Sequence, residues 1–237
     1  FAGRLQLTGS FPALVKLGEA AFFNASSPDS VVELKDLPQL QSVGKSAFHT
    51  FAGRVQLTGS FPALVRLGDA ACYKASDPAS VVELKDLPQL QSIGMLAFAV
   101  FVGRVQLTGS FPALVEVGSN AFSSASNPAS VVELKDLPQL HSVGKHAFAY
   151  FVGRVQLTGS FPALVEVGSG AFAGSSNPDS VVELKDLPQL HSVGIQAFAF
   201  FVGRVQLTGS FPALVEVGES AFAGSSNPDS VVELKDL

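Results

Sequence analysis

The stretch Leu37–Phe48, "LPQLQSVGKSAF", decides the fold of this chain because it recurs along the whole sequence. It returns as "LPQLQSIGMLAF" at 87–98, "LPQLHSVGKHAF" at 137–148 and "LPQLHSVGIQAF" at 187–198. A related phrase, "FPALVKLGEAAF" at 11–22, recurs at the same interval. Larger copies begin at residues 1, 51, 101, 151 and 201, and a complete copy contains both phrases. The structural unit is therefore about 25 residues long, and each larger copy is a pair of units.

Repetition at this period predicts a solenoid, in which each unit forms one coil and buries its apolar side chains only against neighbouring coils. The sequence predicts a single solenoid over residues 1–237, with about nine or ten coils. Both ends fall inside a repeat, so we expect the chain to be a piece of a longer array.

Each unit is predicted to contain one short strand. In "VQL" at 55–57 and "VEL" at 82–84 the two apolar side chains point one way and the central Gln56 or Glu83 points the other. The Phe-Pro or Leu-Pro pair that follows ends the strand, because proline has no N–H to donate. Gly18 and Gly44 suit a tight corner. The "GxxAFxx" segment has helical spacing and predicts a short helix or 3-10 turn.

Apolar residues at the same place in successive units are expected to stack as ladders in the core. Burying one such Phe or Leu contributes roughly 1.5–3 kcal/mol, so stability accrues between coils. The predicted Phe ladder is interrupted by the single cysteine. The members of the two ladders are Phe22, Phe48, Cys72, Phe98 and Phe122, and Leu7, Leu34, Leu57 and Leu84.

The strand pattern and the "V-G-x-x-A-F" signature resemble those of leucine-rich repeat proteins, and most of all the BspA-like subclass, in which an "IGxxAF" phrase recurs. This resemblance implies an α/β or mainly-β solenoid: a curved array with one parallel strand per coil and a short helix or 3-10 turn on the convex side. It further implies a binding or adhesion module located outside the cell or on its surface. The usual Asn ladder is missing, since Thr8, Gly9, Ser10 and Asp36 occupy its region, so we expect the corner to be held differently.

Composition excludes several classes of function. The chain is 47% hydrophobic and only 15% charged, which is typical of a protein with a large core. Its net charge is −5 and it has no Lys/Arg cluster, so we expect no nucleic-acid partner. No apolar run in the sequence is long enough to span a membrane. A single cysteine rules out an intrachain disulfide.

The sequence contains no constellation of catalytic or metal-binding residues. His141 and His191 lie in one column two coils apart, about 10 Å, which is too far for them to share a metal ion. His141 and His146 are separated by a glycine corner, and a residue present in every coil is a poor candidate for a catalytic group. We therefore predict that the protein is not an enzyme and has no cofactor or metal.

The outward side chains of the strands form the first candidate surface. The Gln residues are expected to alternate with the Glu residues along the sheet, Thr8 and its copies to alternate with Lys35, and Arg4 to reach Glu33 diagonally. One interpretation is a solvated sheet with compensating charges. The other is a repeated binding face for a protein or glycan partner, formed by Gln6, Glu33, Lys35, Gln56, Glu83, Lys85, Gln106, Glu133, Lys135, Gln156, Glu183 and Lys185.

The second candidate surface lies where the copies differ from one another, at repeat columns 16, 19, 20, 23, 24, 45, 46, 49 and 50. Drift at outward positions of the convex side is one explanation. The alternative is an apolar strip for lateral association. We expect self-association through this side or through the ends of the array, and a structural or self-assembling scaffold, natural or designed, is the alternative function. The candidate residues are Met95, Leu96, Val100, Tyr150, Ile195 and Phe200.

Overall fold

The chain forms a parallel β-solenoid, seen in a computed structural model that describes residues 1–236; Leu237, the last residue of the predicted array, lies outside them. These residues form nineteen strands. In chain order the strands are β1 (Gln6–Leu7), β2 (Lys16–Leu17), β3 (Val31–Lys35), β4 (Ser42–Val43), β5 (Arg54–Thr58), β6 (Arg66–Leu67), β7 (Val81–Lys85), β8 (Ser92–Ile93), β9 (Arg104–Thr108), β10 (Glu116–Val117), β11 (Val131–Lys135), β12 (Ser142–Val143), β13 (Arg154–Thr158), β14 (Glu166–Val167), β15 (Val181–Lys185), β16 (Ser192–Val193), β17 (Arg204–Ser210), β18 (Glu216–Val217) and β19 (Val231–Lys235).

The strands form two sheets. The odd-numbered strands build a ten-stranded parallel sheet, called sheet A, and the even-numbered strands build a nine-stranded parallel sheet, called sheet B. The prediction of one strand per coil is therefore wrong, since a coil contributes a long strand and a two-residue strand such as Ser42–Val43. Two residues are too few to show an alternating pattern in the sequence, although Val43 is buried and Ser42 is half-exposed as a strand requires.

The register of sheet A differs from the predicted one at every second step. Leu34 lies opposite Leu57, as expected for the Leu ladder, but Leu57 then lies opposite Val82 and not Leu84. The cause is chain length: the segment joining Gln56 to Val81 is two residues longer than the one joining Glu33 to Gln56. The core ladder therefore contains Val as well as Leu, with side chains still alternating correctly between the two faces.

The "GxxAFxx" segment forms consecutive turns, so the prediction of a short helix or 3-10 turn is wrong. The Ala47 N–H donates to the Gly44 carbonyl, whereas the Phe48 N–H donates to the Ala71 carbonyl of the next coil at 2.7 Å. Because every second N–H is used between coils, no helical ladder can form. Ser46, the third residue of the first turn, has φ of 54°, as a type II turn requires.

The Phe ladder is confirmed. Phe122 stacks on Phe148 with ring centroids 5.0 Å apart and an angle of 4° between the rings, and Phe148 stacks on Phe172 at 5.3 Å. Cys72 is buried in this ladder and interrupts it between Phe48 and Phe98. The stack makes the core continuous from coil to coil.

Glycine at the corner is required by close approach between coils. A Cβ atom on Gly144 would lie 2.6 Å from the Ser119 backbone nitrogen, nearer than side-chain carbons approach backbone atoms. Gly44 and Gly18 do not have positive φ, so a left-handed conformation is not the reason for these residues. Each corner glycine after the first lets its coil stack directly on the backbone of the preceding one.

Two polar contacts hold the ends of the long strands in place of an Asn ladder. At the start of the strand, the buried Ser130 Oγ accepts a hydrogen bond from the Val105 N–H at 3.0 Å. After the strand, Asp136 has φ of 49° and its Oδ1 accepts from the Ser160 N–H at 3.0 Å. The predicted departure from the usual corner is confirmed at Asp136, whereas the buried serine was not foreseen.

Candidate functional site

The outer face of sheet A carries one row of four side chains that recurs every second coil. Glu133 lies opposite Gln156, Gln156 opposite Val181, and Val181 opposite Arg204. The alternate strand residues are buried, so these four side chains lie on the opposite, solvent-facing side. We call each such set an outer row. The complete outer rows are Glu33–Gln56–Val81–Arg104, Glu83–Gln106–Val131–Arg154 and Glu133–Gln156–Val181–Arg204.

The predicted alternation of Gln and Glu therefore holds on one side of each strand only. Glu83 lies beside Gln106, but Gln106 has Val131 as its other neighbour. The two-residue slip in register moves the next glutamate, Glu133, along the strand, so that a valine and an arginine enter the row. The sequence contained all four residue types in fixed columns, but the row itself depends on a register that spacing alone did not show.

Ion pairs join neighbouring outer rows. The Arg154 guanidinium contacts the Glu133 carboxylate at 3.0 Å, and Arg204 contacts Glu183 at the same distance. Both arginines thus pair with the glutamate of the preceding coil, which corrects the predicted Arg4–Glu33 pair, in which the glutamate lay in the following coil; Arg54 instead lies 3.9 Å from Asp77. The side chains of the two Arg–Glu pairs are about one-third exposed, so each pair stabilises the fold by at most about 1 kcal/mol and orients its carboxylate.

The remaining residues of the predicted binding face lie on the same outer surface. Lys85 is exposed and lies next to Thr108 of the following coil, which is the expected lysine–threonine neighbour on one side. The glutamine and glutamate side chains are half-buried from β3 to β15, and Gln6 is exposed. No other element covers this face within the described chain. All twelve predicted residues are therefore on one surface of the solenoid.

The predicted apolar strip occupies three repeat columns: Met95 and Ile195 in the first, Leu96 in the second, and Val100, Tyr150 and Phe200 in the third. Met95 and Ile195 are about half exposed and follow directly after the glycine corner; Met95 borders a shallow surface depression lined also by Ser92 of sheet B. Leu96 is half-buried and has φ of 59°. The first two columns continue the surface of sheet B.

The third column contains Val100, Tyr150 and Phe200, of which the two aromatic side chains are each 66% exposed. All three have φ of 56°, a left-handed conformation that turns the side chain away from the core. The Tyr150 N–H donates to the Ala173 carbonyl and the Phe200 N–H to the Ala223 carbonyl, both at 2.8 Å. The backbone under these rings is therefore fixed by bonds between coils.

Within residues 1–236 the structure brings together no group of three or more histidine, cysteine or carboxylate side chains that could hold a metal ion. His141 and His191 are exposed and occupy equivalent places two coils apart. Burial raises the pKa of the Cys72 thiol to about 12, which makes it an inert neutral group at physiological pH. The part of the chain that the structure describes contains no helix long and apolar enough to cross a membrane.

Comparisons with known proteins give one similar solved structure. No family model matches the chain, and no curated protein matches it. A crystal structure of a leucine-rich repeat protein from Bacteroides ovatus is similar at 15% sequence identity, over 93% of this chain and 76% of that chain, with a TM-score of 0.30. The chain resembles leucine-rich repeat proteins in its repeated signature, its coil length and its parallel strands.

Proposed function

We propose that this chain is a non-enzymatic binding module that presents the outer face of sheet A to a protein or glycan partner. The observation that supports the proposal is the outer row: the same acid, amide, aliphatic and cationic side chains recur in fixed order at every second coil. Packing fixes the inner residues of these strands but does not require the outer ones to be identical in every copy.

The spacing of the outer rows suits a partner that is itself periodic. Equivalent groups two coils apart are separated by about 10 Å. A partner that contacts one row can contact the next without a new loss of translational freedom, so weak contacts at single rows add up to strong attachment. A carboxylate held by arginine and an exposed lysine supply acceptor and donor groups for polar partners.

The test compares two variants with the same change in charge. The first replaces Glu33, Glu83, Glu133 and Glu183 by Gln on sheet A; the control replaces Glu116, Glu166, Glu216 and Glu219 by Gln on and beside sheet B. Fluorescently labelled proteins are applied to glycan and protein arrays. We expect the sheet A variant to lose at least tenfold in binding to at least one ligand of the parent, and the control variant to retain that ligand. Equal binding of every ligand by both variants would contradict the proposal.

The alternative function, a self-assembling scaffold, is favoured by the exposed apolar side chains beside sheet B. Met95 and Ile195 are 49% and 50% exposed, which is unusual for long aliphatic side chains repeated along one surface. If this column mediates lateral association, Met95→Lys combined with Ile195→Lys will lower the mass measured by light scattering. The fold accepts lysine in this column, because its other two members are Lys45 and Lys145. A parent protein that is monomeric at high concentration would eliminate this function.

A further inference from the structure

Two exposed aromatic rings occupy equivalent places two coils apart, on a surface distinct from the outer face of sheet A. Tyr150 and Phe200 are each 66% exposed, while most Phe side chains of the chain are in the core. They stand in the same repeat column as Thr50 and Val100, so the column changes from small side chains to aromatic ones along the solenoid. Nothing in the fold needs these rings, because the earlier coils form without them.

Each ring lies against a glycine of the following coil. A Cβ atom added to Gly174 would be 2.7 Å from two ring carbons of Tyr150, and one added to Gly224 would be 2.6 Å from a ring carbon of Phe200. The corresponding residue next to Val100 is Ser124, which has a side chain. Glycine thus accompanies the aromatic residue in both coils, which lets one side of the ring rest on the backbone while the rest stays in solvent.

The residues beside the rings are small. Ala173 and Ala223 fill the column that holds Phe23 and Tyr73 nearer the start of the chain, and the backbone there is bonded from coil to coil. The rings therefore stand on a shallow and rigid surface. A rigid aromatic surface is suited to a ligand that stacks on it, since little conformational freedom is lost on binding.

The distance between the rings follows from the coil spacing. The core rings Phe148, Phe172 and Phe198 stack at 5.3 and 5.1 Å, so equivalent groups two coils apart are separated by about 10 Å. An extended β-1,4-linked hexose chain has a disaccharide repeat of nearly this length and turns the same ring face to one side at every second sugar. The apolar C–H face of a pyranose packs on an aromatic face, where the electron density is negative.

A second copy of the chain fits this surface less well. Two aromatic side chains with glycine between them bury at most a few hundred square ångströms. A stable protein interface needs about 800 Å² from each partner. The rings are also separate from one another, and not joined in one apolar patch, which suits two stacked sugars better than a protein surface.

We propose that Tyr150 and Phe200 form a stacking platform for a linear β-1,4-linked hexose chain, with sugars n and n+2 on the two rings. The platform is independent of the outer rows on sheet A. The four-glutamate variant of sheet A should therefore bind the same oligosaccharide with unchanged affinity. A binding test that contradicts one of these two surfaces therefore leaves the proposal for the other unaffected.

The test is a calorimetric or NMR titration of the whole chain with cellohexaose. We expect Tyr150→Ala and Phe200→Ala each to weaken binding about three- to tenfold and the double variant to abolish it. Val100→Ala is the matched control and should change nothing. Laminarihexaose, whose β-1,3 linkages do not repeat a ring face at this spacing, should not bind. Circular dichroism and thermal unfolding establish that each variant is folded.

A gain of binding provides a test that loss of folding cannot imitate. Val100→Tyr with Ser124→Gly reproduces the Tyr150–Gly174 arrangement one period earlier and extends the platform to three rings. We expect cellohexaose to bind this variant about three- to tenfold more tightly. The proposal is overturned if the parent does not bind cellohexaose at millimolar concentration, or if the ring variants change sedimentation and leave sugar binding unaltered, which would indicate a protein–protein contact.

Discussion

Several of the columns in which the copies differ have a left-handed backbone. Leu96, Val100, Tyr150 and Phe200 all have φ between 56° and 59°, and they belong to two of the columns in which the copies differ. A left-handed residue directs its side chain out of the coil, so its identity does not affect the core. The strain of about 1 kcal/mol per residue is tolerated because the N–H of each of these residues donates to a carbonyl of a neighbouring coil. Backbone geometry thus accounts for the tolerance of different side chains at these columns.

We predict that the Cys72 thiol is unreactive in the folded protein. Burial raises the pKa of its thiol from 9.0 to about 12, so the folded state holds its proton more tightly than the unfolded state does. Stability is therefore unaffected by this group below pH 9 and falls as the pH rises from 9 towards 12. We expect negligible reaction with a disulfide reagent at pH 8 without denaturant and full reaction in guanidinium chloride. Rapid labelling of the native protein would contradict the buried placement.

At the scale of the element, the coil could be predicted in part. Proline and the alternating apolar residues indicated the long strands correctly, because one buried strand face produces a period of two in the sequence. The two-residue strands of sheet B could not be predicted, since two residues are too few to show an alternating pattern. The prediction for the "GxxAFxx" segment failed for a different reason: Gly44, Ala47 and Phe48 have helical spacing, but only alternate N–H groups bond within the coil.

The glycine corner gives a prediction about how closely coils can stack. In Gly144→Ala the new methyl group would lie 2.6 Å from the Ser119 nitrogen, so two coils must separate locally. We expect a loss of about 1–3 kcal/mol in the free energy of unfolding, as for other overpacked sites. Gly18→Ala is the matched control, because no atom lies within 4 Å of that Cβ position and its φ is not positive. Urea unfolding measures both. Equal losses for the two variants would show that the corner, and not the close approach, requires glycine.

At the scale of the whole molecule, the period is set by two registers that alternate. The chain between paired residues of β5 and β7 is two residues longer than the chain between paired residues of β3 and β5. A coil of one type therefore fits only between two coils of the other type. This explains why the larger copy, and not the single unit, is the length at which the sequence repeats, which is a property that composition and local motifs do not indicate. The candidate sites depend on the same alternation, because outer rows form only when the two strand types follow each other.

This alternation predicts which insertions the array accepts. A second copy of residues 101–150, placed after Tyr150, preserves every register. It should lengthen the solenoid by about 10 Å in small-angle scattering and leave the unfolding temperature unchanged or raise it.

A second copy of residues 105–130, placed after Ser130, adds one coil of the wrong type. In the native register Leu107 lies opposite Val132, but after this insertion the residue at that place is the copy of Gln106. Either this polar side chain then points into the core, or the strand slips by one residue so that the copy of Leu107 takes the place, and the connecting segment must accommodate one extra residue. We expect the single-coil insertion to lower the unfolding temperature and broaden the transition relative to the double-coil insertion. Equal stability of the two proteins would mean that the two coil types are interchangeable and that their order carries no structural information.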